Sequence, residues 1–157
     1  TPVAIDLRFI LSILKINTAL ERIGDFAKGI AKFVIDDKIK FYNQELIKDL
    51  EVEKMFSETM EMFESVKKAF ELGDTKLASS VFVSDDILDE IHRKSYDIIA
   101  DHVKEDPELI YQAMVILAVI RKLERLGDHC TNIAENIIFY YDALVIKHQG
   151  NTEIGKE

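Results

Sequence analysis

The sequence predicts an all-α protein, an antiparallel three-helix bundle preceded by the last helix of an incomplete three-helix bundle. Three observations lead to this prediction. The 157 residues include two prolines, six glycines and no tryptophan, so few residues interrupt or strain a helical backbone. Apolar residues recur at alternating spacings of three and four, as they do in amphipathic helices. One hexapeptide also occurs twice, 103 positions apart, which indicates a structural unit that is built twice.

The repeated hexapeptide is Leu-Glu-Arg-Ile-Gly-Asp at residues 20–25, and it returns at 123–128 with leucine in place of isoleucine. Each copy carries a Glu and an Asp four residues apart, which places both acids on one face of a helix. Each copy also contains a mid-helix glycine, Gly24 or Gly127, which costs about 1 kcal/mol relative to alanine. A glycine in this position indicates the close approach of another helix or of a ligand.

The first predicted helix runs from Ile5 to about Asp36, and an apolar seam follows one side of it. The same seam returns 103 positions later in the last helix, so the heptad register is repeated together with the motif. The first seam comprises Ile13, Ile16, Leu20, Ile23, Ala27, Ile30 and Val34, and the second comprises Ile116, Val119, Leu123, Leu126, Cys130, Ile133 and Ile137.

The next helix follows a short charged connector from Asp37 to Tyr42. Asn43 is a suitable N-cap for it, and Gly73 is its natural stop. Asp74 then begins a further helix. The Ser-Asp-Asp sequence at residues 84–86 resembles another helix start, so one continuous helix and two shorter helices both fit the pattern.

The last helix begins at Asp106 and Pro107, because aspartate caps helices and proline is pre-set for the first helical position. It is predicted to end near Leu144, before a polar segment. The connections between the helices are short, which favours antiparallel neighbours.

These elements divide the chain into three predicted segments. Residues 1–40 contain the third helix of a first repeat whose two earlier helices are missing, residues 41–145 form a complete second repeat, and residues 146–157 form a flexible tail. The start Thr-Pro-Val, without an initiating Met, suggests a piece of a longer chain. We expect the uncovered seam of the first helix to pack against another copy or against residues outside this chain.

Charge and cysteine content narrow the classes of protein. The net charge of −9 and the pI near 5.0 argue against a nucleic-acid binder, which needs cations to neutralise phosphates. The single cysteine, Cys130, cannot form an internal disulfide and falls at an apolar helical position, which agrees with a reducing cytoplasm. No stretch approaches eighteen uninterrupted apolar residues, so we expect no insertion into the membrane.

Acidic and amide side chains concentrate on the last two predicted helices. Carboxylate and amide oxygens suit Mg²⁺, Mn²⁺ and iron, whereas the absence of clustered Cys and His argues against a structural zinc site. A solvated acidic face, paired locally with arginines, remains the alternative interpretation. The candidates are Asp85 and Asp89 on one helix and Glu124, Asp128, Asn132 and Glu135 on the next.

Motifs of known enzyme classes are absent from the sequence. We find no glycine-rich phosphate loop, no nucleophile elbow and no His-Glu-x-x-His. Asp89-x-x-His92 is similar to the Glu-x-x-His ligands of ferritin-like di-iron bundles, but that architecture requires two such elements. The sequence therefore predicts that the chain is not an enzyme.

Several segments together strongly resemble the PhoU family. They are Pro-Val-Ala-Ile-Asp-Leu-Arg at 2–8, the two hexapeptides with the extension to Glu135, the acids from Asp85 to Asp89, and Phe-Tyr-Tyr at 139–141. The resemblance implies two tandem three-helix bundles, each with an acidic motif that in some members of the family is able to hold a multinuclear metal cluster.

Carried over by position, the resemblance assigns metal ligands to both bundles. The candidate metals are iron, manganese, magnesium and zinc. The helices that would bring partner acids to the first site are missing from this chain. The first site would include Glu21 and Asp25, and the second Asp85, Asp89, Glu124 and Asp128, with Asn132 and Glu135 as outer candidates.

The resemblance also implies a cytoplasmic regulator of phosphate uptake and homeostasis. Such a protein restrains the phosphate-starvation response as an adaptor between the ATPase subunit of the phosphate ABC transporter and a sensor histidine kinase, and we expect it to form a homodimer. Two alternatives stay open. One is a metal-dependent helical-bundle enzyme, and the other is a cytoplasmic PhoU-like domain of a sodium-phosphate transporter.

Overall fold

The fold is helical wherever the computed structural model describes a regular element, which agrees with the predicted all-α class. The structure describes residues 2–36 and 41–153, with the side chains of 2, 3, 5, 36 and 145–153 left out. Helices α3, α4 and α5 form a three-helix bundle, and α1 packs along α5. The helices are α1 (Pro2–Asp36), α2 (Gln44–Asp49), α3 (Val52–Leu72), α4 (Thr75–Glu105) and α5 (Ile110–Glu153), with a 3₁₀ turn at Pro107–Leu109.

The predicted caps begin and end the helices as expected. The Asn43 side chain accepts a hydrogen bond from the Leu46 N–H at 2.9 Å, and the Asp74 carboxylate accepts from Lys76 and Leu77. Gly73 ends α3 in the left-handed region, at φ 67°, where a glycine avoids the steric cost of a β-carbon. These caps could be predicted from the sequence because each depends on a few consecutive residues.

Two predicted boundaries differ from the structure. The helix that begins after Asn43 is divided into α2 and α3, because Glu51 adopts a left-handed conformation at φ 49°. Helix α5 continues past Leu144 to Glu153 without a proline to stop it, and so extends through most of the predicted tail 146–157. The rest of that tail, 154–157, and the predicted boundary at residue 40 lie outside the described residues.

One question that the sequence left open is answered by α4. The helix runs without interruption from Thr75 to Glu105, so Ser84 is not a second helix start. Its hydroxyl instead donates a hydrogen bond to the Glu58 carboxylate of α3 at 3.0 Å. The acids that follow Ser84 therefore lie in mid-helix, beside α5.

The core of the bundle lies where α3, α4 and α5 meet. The second seam forms the α5 side of this core, and only Val119 among its seven residues is partly exposed. Helix α1 differs, since Ile16 and Ile23 are buried but Leu20 and Val34 are 43% and 75% exposed. Three of the seven residues of the first seam, Leu20, Ala27 and Val34, are thus exposed, because α1 packs chiefly against α5. What covers the rest stays a prediction.

Helices α1 and α5 run antiparallel and are related by an approximate two-fold axis. Contacts pair Phe9 with Tyr140 and Phe26 with His129, so partner numbers fall along α5 as they rise along α1. Phe26 and His129 occupy equivalent positions of the repeat, 103 residues apart. Since each stacks on its own counterpart, the axis passes between these two rings.

Candidate metal centre

The two helices that carry the second acidic site approach each other closely at Gly127. A β-carbon built on Gly127 would lie 3.3 Å from Oδ1 of Asp85 and 2.7 Å from Cδ1 of Leu88. The glycine thus lets α4 bring Asp85 directly against α5, as its mid-helix position predicted. Gly24 differs, because a β-carbon there would have no neighbour within 4 Å.

The acids around Gly127 share one electrostatic neighbourhood. The pKa of Asp85 is raised to about 6, first by burial and then by the charges of Asp89, Asp128, Asp86 and Glu124. Burial and the charge of Asp128 likewise raise the pKa of Glu124. Like charges in a partly desolvated site repel each other and make the ionised state costly. The structure therefore brings together the acids predicted from the two helices, and a cation would relieve their repulsion.

The donor set fits a hard or borderline cation, since carboxylate oxygens predominate. Among the residues that the structure describes, however, no three His, Cys, Asp or Glu side chains are arranged to hold a metal ion together. The acids are neighbours that do not converge on one point. Asp85, Glu124 and Asp128 are partly exposed, and a coordinating geometry would require their side chains to change rotamer.

His92 is a member of this neighbourhood that was not among the predicted site residues. Its Nδ1 lies 3.8 Å from Oε1 of Glu124, and its Nε2 lies 3.2 Å from the hydroxyl of Tyr96. The spacing Asp89-x-x-His92 places both residues on one helix face, although its single occurrence argued against a ferritin-like site. The edge of the acidic site therefore also carries a nitrogen donor.

Cys130 lies beside the same acids but contributes no accessible donor. It is wholly buried, and burial, followed by the charge of Asp85, raises the pKa of its thiol to about 12. Because the thiolate is the form that binds metals and attacks substrates, this cysteine is inert at neutral pH. Its predicted place in the apolar seam is confirmed.

The two outer candidates lie elsewhere. Asn132 and Glu135 are exposed and line a cleft of about 450 Å³ between α1 and α5, together with Lys15 and Thr18. Whether these two side chains take part in metal binding stays a prediction. Along α5, Glu124 faces toward α4, whereas Asn132 turns toward α1.

The first acidic pair remains apart from other acids. Glu21 and Asp25 are both exposed on α1, and Asp25 contacts the Arg22 guanidinium at 3.7 Å. No second helix among the described residues packs on the Gly24 side of this motif, as the absence of neighbours around Gly24 indicates. The repeat thus reproduces the motif without reproducing its surroundings.

Comparison with known proteins places both motifs in one family. The family model of the PhoU domain matches residues 1–34 and 52–137, which include both hexapeptides and the acids of α4. The chain belongs to the PhoU family. This membership agrees with the resemblance on which the predictions depended.

Individual members of the PhoU family cover almost the entire chain. The chain is 36% identical over 141 residues to the phosphate-specific transport system accessory protein PhoU homolog 1 of Thermotoga maritima, covering 88% of this chain and 59% of that protein. It is 33% identical over 161 residues to the Pseudomonas aeruginosa homolog, covering 99% and 64%. For the Escherichia coli protein the identity is 30% over 155 residues, covering 99% and 63%. The chain thus spans about three fifths of the length of these relatives.

A solved structure supports the fold of this PhoU-family chain. The crystal structure of PhoU from Pseudomonas aeruginosa superposes with a TM-score of 0.78 at 32% identity, covering 91% of this chain and 68% of that chain. The relatives are named accessory proteins and not enzymes, which agrees with the prediction for this chain. Within the described part of the chain, no helix is both long and apolar enough to span a membrane.

Proposed function

We propose that this chain acts in a cytoplasmic regulator of phosphate uptake, as an adaptor between the ATPase subunit of the phosphate ABC transporter and a sensor histidine kinase. The proposed effect is negative regulation of the phosphate-starvation response. The observation that carries the proposal is the family match over both acidic motifs, together with relatives named as accessory proteins of phosphate-specific transport. A long helical bundle with exposed faces supplies surfaces for such partners.

A metal-dependent enzyme is the less favoured function. Cys130 is buried with a thiol pKa near 12, so it does not serve as a nucleophile. The second alternative, a domain of a sodium-phosphate transporter, has no support among the relatives compared above. We therefore keep the adaptor and propose, in addition, that its functional unit is a homodimer.

The proposal includes a metal at the second acidic site, held by Asp85, Asp89, Glu124 and Asp128. A bound cation would supply positive charge that offsets the mutual repulsion of these acids. The chain's own contribution is to fix the distance between the helices: Gly127 allows α4 and α5 to meet, and Leu88 packs under the site. The role of the site would then be to tie the two helices together.

The adaptor is tested in the organism of origin. Deletion of the gene that encodes this chain should switch on a phosphate-starvation reporter in phosphate-rich medium, and the purified protein should bind the transporter ATPase subunit and the cytoplasmic part of the kinase. An unchanged reporter together with no binding to either protein would contradict the proposal.

The metal site is tested by metal analysis of purified protein, with the repeat itself as the control. Glu124→Ala/Asp128→Ala changes the second motif, and Glu21→Ala/Asp25→Ala makes the same change in the first. We expect the first variant to lose the bound metal and the second to keep most of it. Equal metal content in the unchanged protein and Glu124→Ala/Asp128→Ala would remove the ligand assignment and leave the adaptor intact.

A further inference from the structure

Two of the clefts in the described part of the chain flank the contact between α1 and α5, one on each side of the stacked pair Phe26 and His129. One is the cleft that Asn132 and Glu135 line, and it is called the counterpart cleft below. The lining positions of the two clefts largely correspond when 103 is added to the residue numbers of α1 and subtracted from those of α5, so the clefts are equivalent in the repeat. The other, called the first cleft, has a volume of about 340 Å³ and is lined by Phe26, Phe33, Ala118, Arg121, Lys122 and Arg125.

The first cleft is cationic and contains no carboxylate in its lining. Lys122 extends its ammonium over the rings of Phe33 and Phe26, at 5.6 and 6.0 Å from their centroids. Gly29 leaves room for it, since a β-carbon there would lie 2.9 Å from Nζ of Lys122. The cation therefore lies against aromatic rings in space that Gly29 leaves free, and no acid among the described residues forms an ion pair with it.

The charges of this cleft are available to a partner. Within the described residues, neither Arg121 nor Lys122 forms an ion pair with an acid of this chain, although the chain carries a net charge of −9. Arg125 makes only long contacts, at 3.7 and 3.9 Å, to Glu124 and Asp128. Unpaired cations that line an open cleft of a strongly acidic chain are complementary to an acidic partner.

The cleft continues into an exposed apolar surface. Ala118 has Met114 one turn before it and Tyr111 two turns before it on the same side of α5, and these side chains are 54% and 57% exposed. Phe26 and Phe33 of α1 form the opposite wall. A ligand of only a phosphate's size would leave this apolar extension uncovered, whereas a helix of a partner would cover it.

We propose that this cationic cleft is the docking site for an acidic amphipathic helix of a partner protein. Carboxylates of that helix would lie against Arg121, Lys122 and Arg125, and its apolar side chains would lie against Phe26, Phe33 and Met114. This is the helix-in-groove mode of recognition, with apolar anchors for affinity and charges for orientation. The identity of the partner rests on the proposed adaptor function, whereas the site itself rests on the cleft.

The counterpart cleft provides an internal control. The positions equivalent to Arg121 and Lys122 are Thr18 and Ala19, and the lining of that cleft includes the acid Glu135. The counterpart cleft therefore corresponds to the first cleft in position, because of the repeat, but differs from it in charge. A partner selected by the cations of the first cleft should therefore not use the second.

The test compares two charge reversals of equal size. Arg121→Glu changes the cationic cleft, and Lys15→Glu changes the counterpart cleft; both side chains are exposed, so both variants should fold, as circular dichroism would check. The probes are the purified transporter ATPase subunit and the cytoplasmic region of the kinase, measured by biolayer interferometry. We expect Arg121→Glu to weaken binding of one probe about tenfold or more, with a reduced dependence on salt, and Lys15→Glu to change it less than twofold.

Each other outcome contradicts the inference in a distinct way. Unchanged binding of Arg121→Glu overturns the docking site and leaves the adaptor function standing. Equal losses in both variants mean nonspecific attraction and also overturn the site. No binding of either probe to the unchanged protein overturns the site and the adaptor function together. A last outcome is that inorganic phosphate alone shifts the NMR signals of Arg121 and Lys122, while Arg121→Glu still binds both proteins. That outcome would assign the cleft to a small anion and overturn the docking site.

Discussion

Gly127 lies so close to Leu88 that a β-carbon on the glycine would stand 2.7 Å from Cδ1 of the leucine. Leu88 is wholly buried, so its side chain would have to shift within a packed core to make room for that carbon. The equivalent Gly24 has nothing within 4 Å. Two glycines at the same position of one repeat thus have opposite surroundings, and this difference defines the first prediction.

Gly127→Ala should lower the free energy of unfolding by about 1 kcal/mol, because overpacking costs more than the gain in helix propensity. Gly24→Ala should raise it by up to about 1 kcal/mol, since only the propensity gain applies. Urea denaturation of both variants measures the two changes in the free energy of unfolding. Stabilisation by both substitutions would mean that α4 and α5 do not meet as described.

Asp85→Asn should change how stability depends on pH. The pKa of Asp85 is raised from 3.8 to about 6 in the folded protein, so the folded state binds this proton more tightly than the unfolded state. Its ionisation therefore lowers stability progressively as pH rises from about 4 to about 6. We expect chelator-treated Asp85→Asn to equal the unchanged protein near pH 4 and to be more stable by about 1 kcal/mol at pH 7, after allowance for solvent screening.

The measurement is a series of urea titrations of both proteins between pH 4 and pH 7. Asp101→Asn is a suitable control, because Asp101 is exposed on the same helix and is not among the charges that raise the pKa of Asp85. A stability difference for Asp85→Asn that stays constant across this range would contradict the electrostatic neighbourhood assigned to Gly127.

Ser12→Ala should stabilise the contact of α1 with α5. The hydroxyl of Ser12 is buried, and it has no hydrogen-bond partner among the described residues. A buried hydroxyl without a partner costs about 1 kcal/mol or more. Ser79→Ala is the matched control, because the Ser79 hydroxyl is exposed and bonded to the Thr75 carbonyl.

Thermal unfolding of the two serine variants separates helix propensity from burial, since both gain the same propensity. We expect a higher midpoint for Ser12→Ala than for Ser79→Ala. Equal midpoints would indicate that the Ser12 hydroxyl finds a partner in solution.

Gly73→Ala should destabilise the junction of α3 and α4 by about 1–2 kcal/mol. Its φ of 67° is costly for alanine, and the added carbon would lie 2.8 Å from Cε1 of Tyr141. Tyr141 itself donates a hydrogen bond to the Phe70 carbonyl at 3.1 Å, which limits how far its ring can move. Urea denaturation measures this loss, and a stability equal to that of the unchanged protein would show that the ring moves freely.

Much of the fold could be predicted because its signals are local. The capping residues Asn43, Gly73 and Asp74 act on backbone groups within a few residues of themselves. Their effects can therefore be predicted from the order of residues along the chain. The break at Glu51 was missed, since a left-handed glutamate has no sequence signature comparable to glycine. The end of α5 was also missed, because a polar composition alone does not stop a helix.

The candidate site was only partly predictable, for a geometric reason. Helical spacing places Glu124 and Asp128 on one face, and a four-residue spacing does the same for Asp85 and Asp89. Which face of α5 meets α4 depends on packing across the bundle. For that reason helical angles alone do not show that Asn132, one turn after Asp128, lines a cleft beside α1.

By itself, the sequence determined the all-α class, the repeat, the helix caps and the acids that the second motif contributes, since these follow from residue type and spacing along the chain. Only the tertiary structure decided that the two copies of the motif have different surroundings. Gly127 is packed against Leu88 while Gly24 is open. The cleft lined by Arg121, Lys122 and Arg125 has no acid in its lining, whereas the lining of its counterpart contains both Lys15 and Glu135. The physical reason is that contacts and desolvation depend on which neighbours surround a residue, and two nearly identical hexapeptides carry no information about their neighbours.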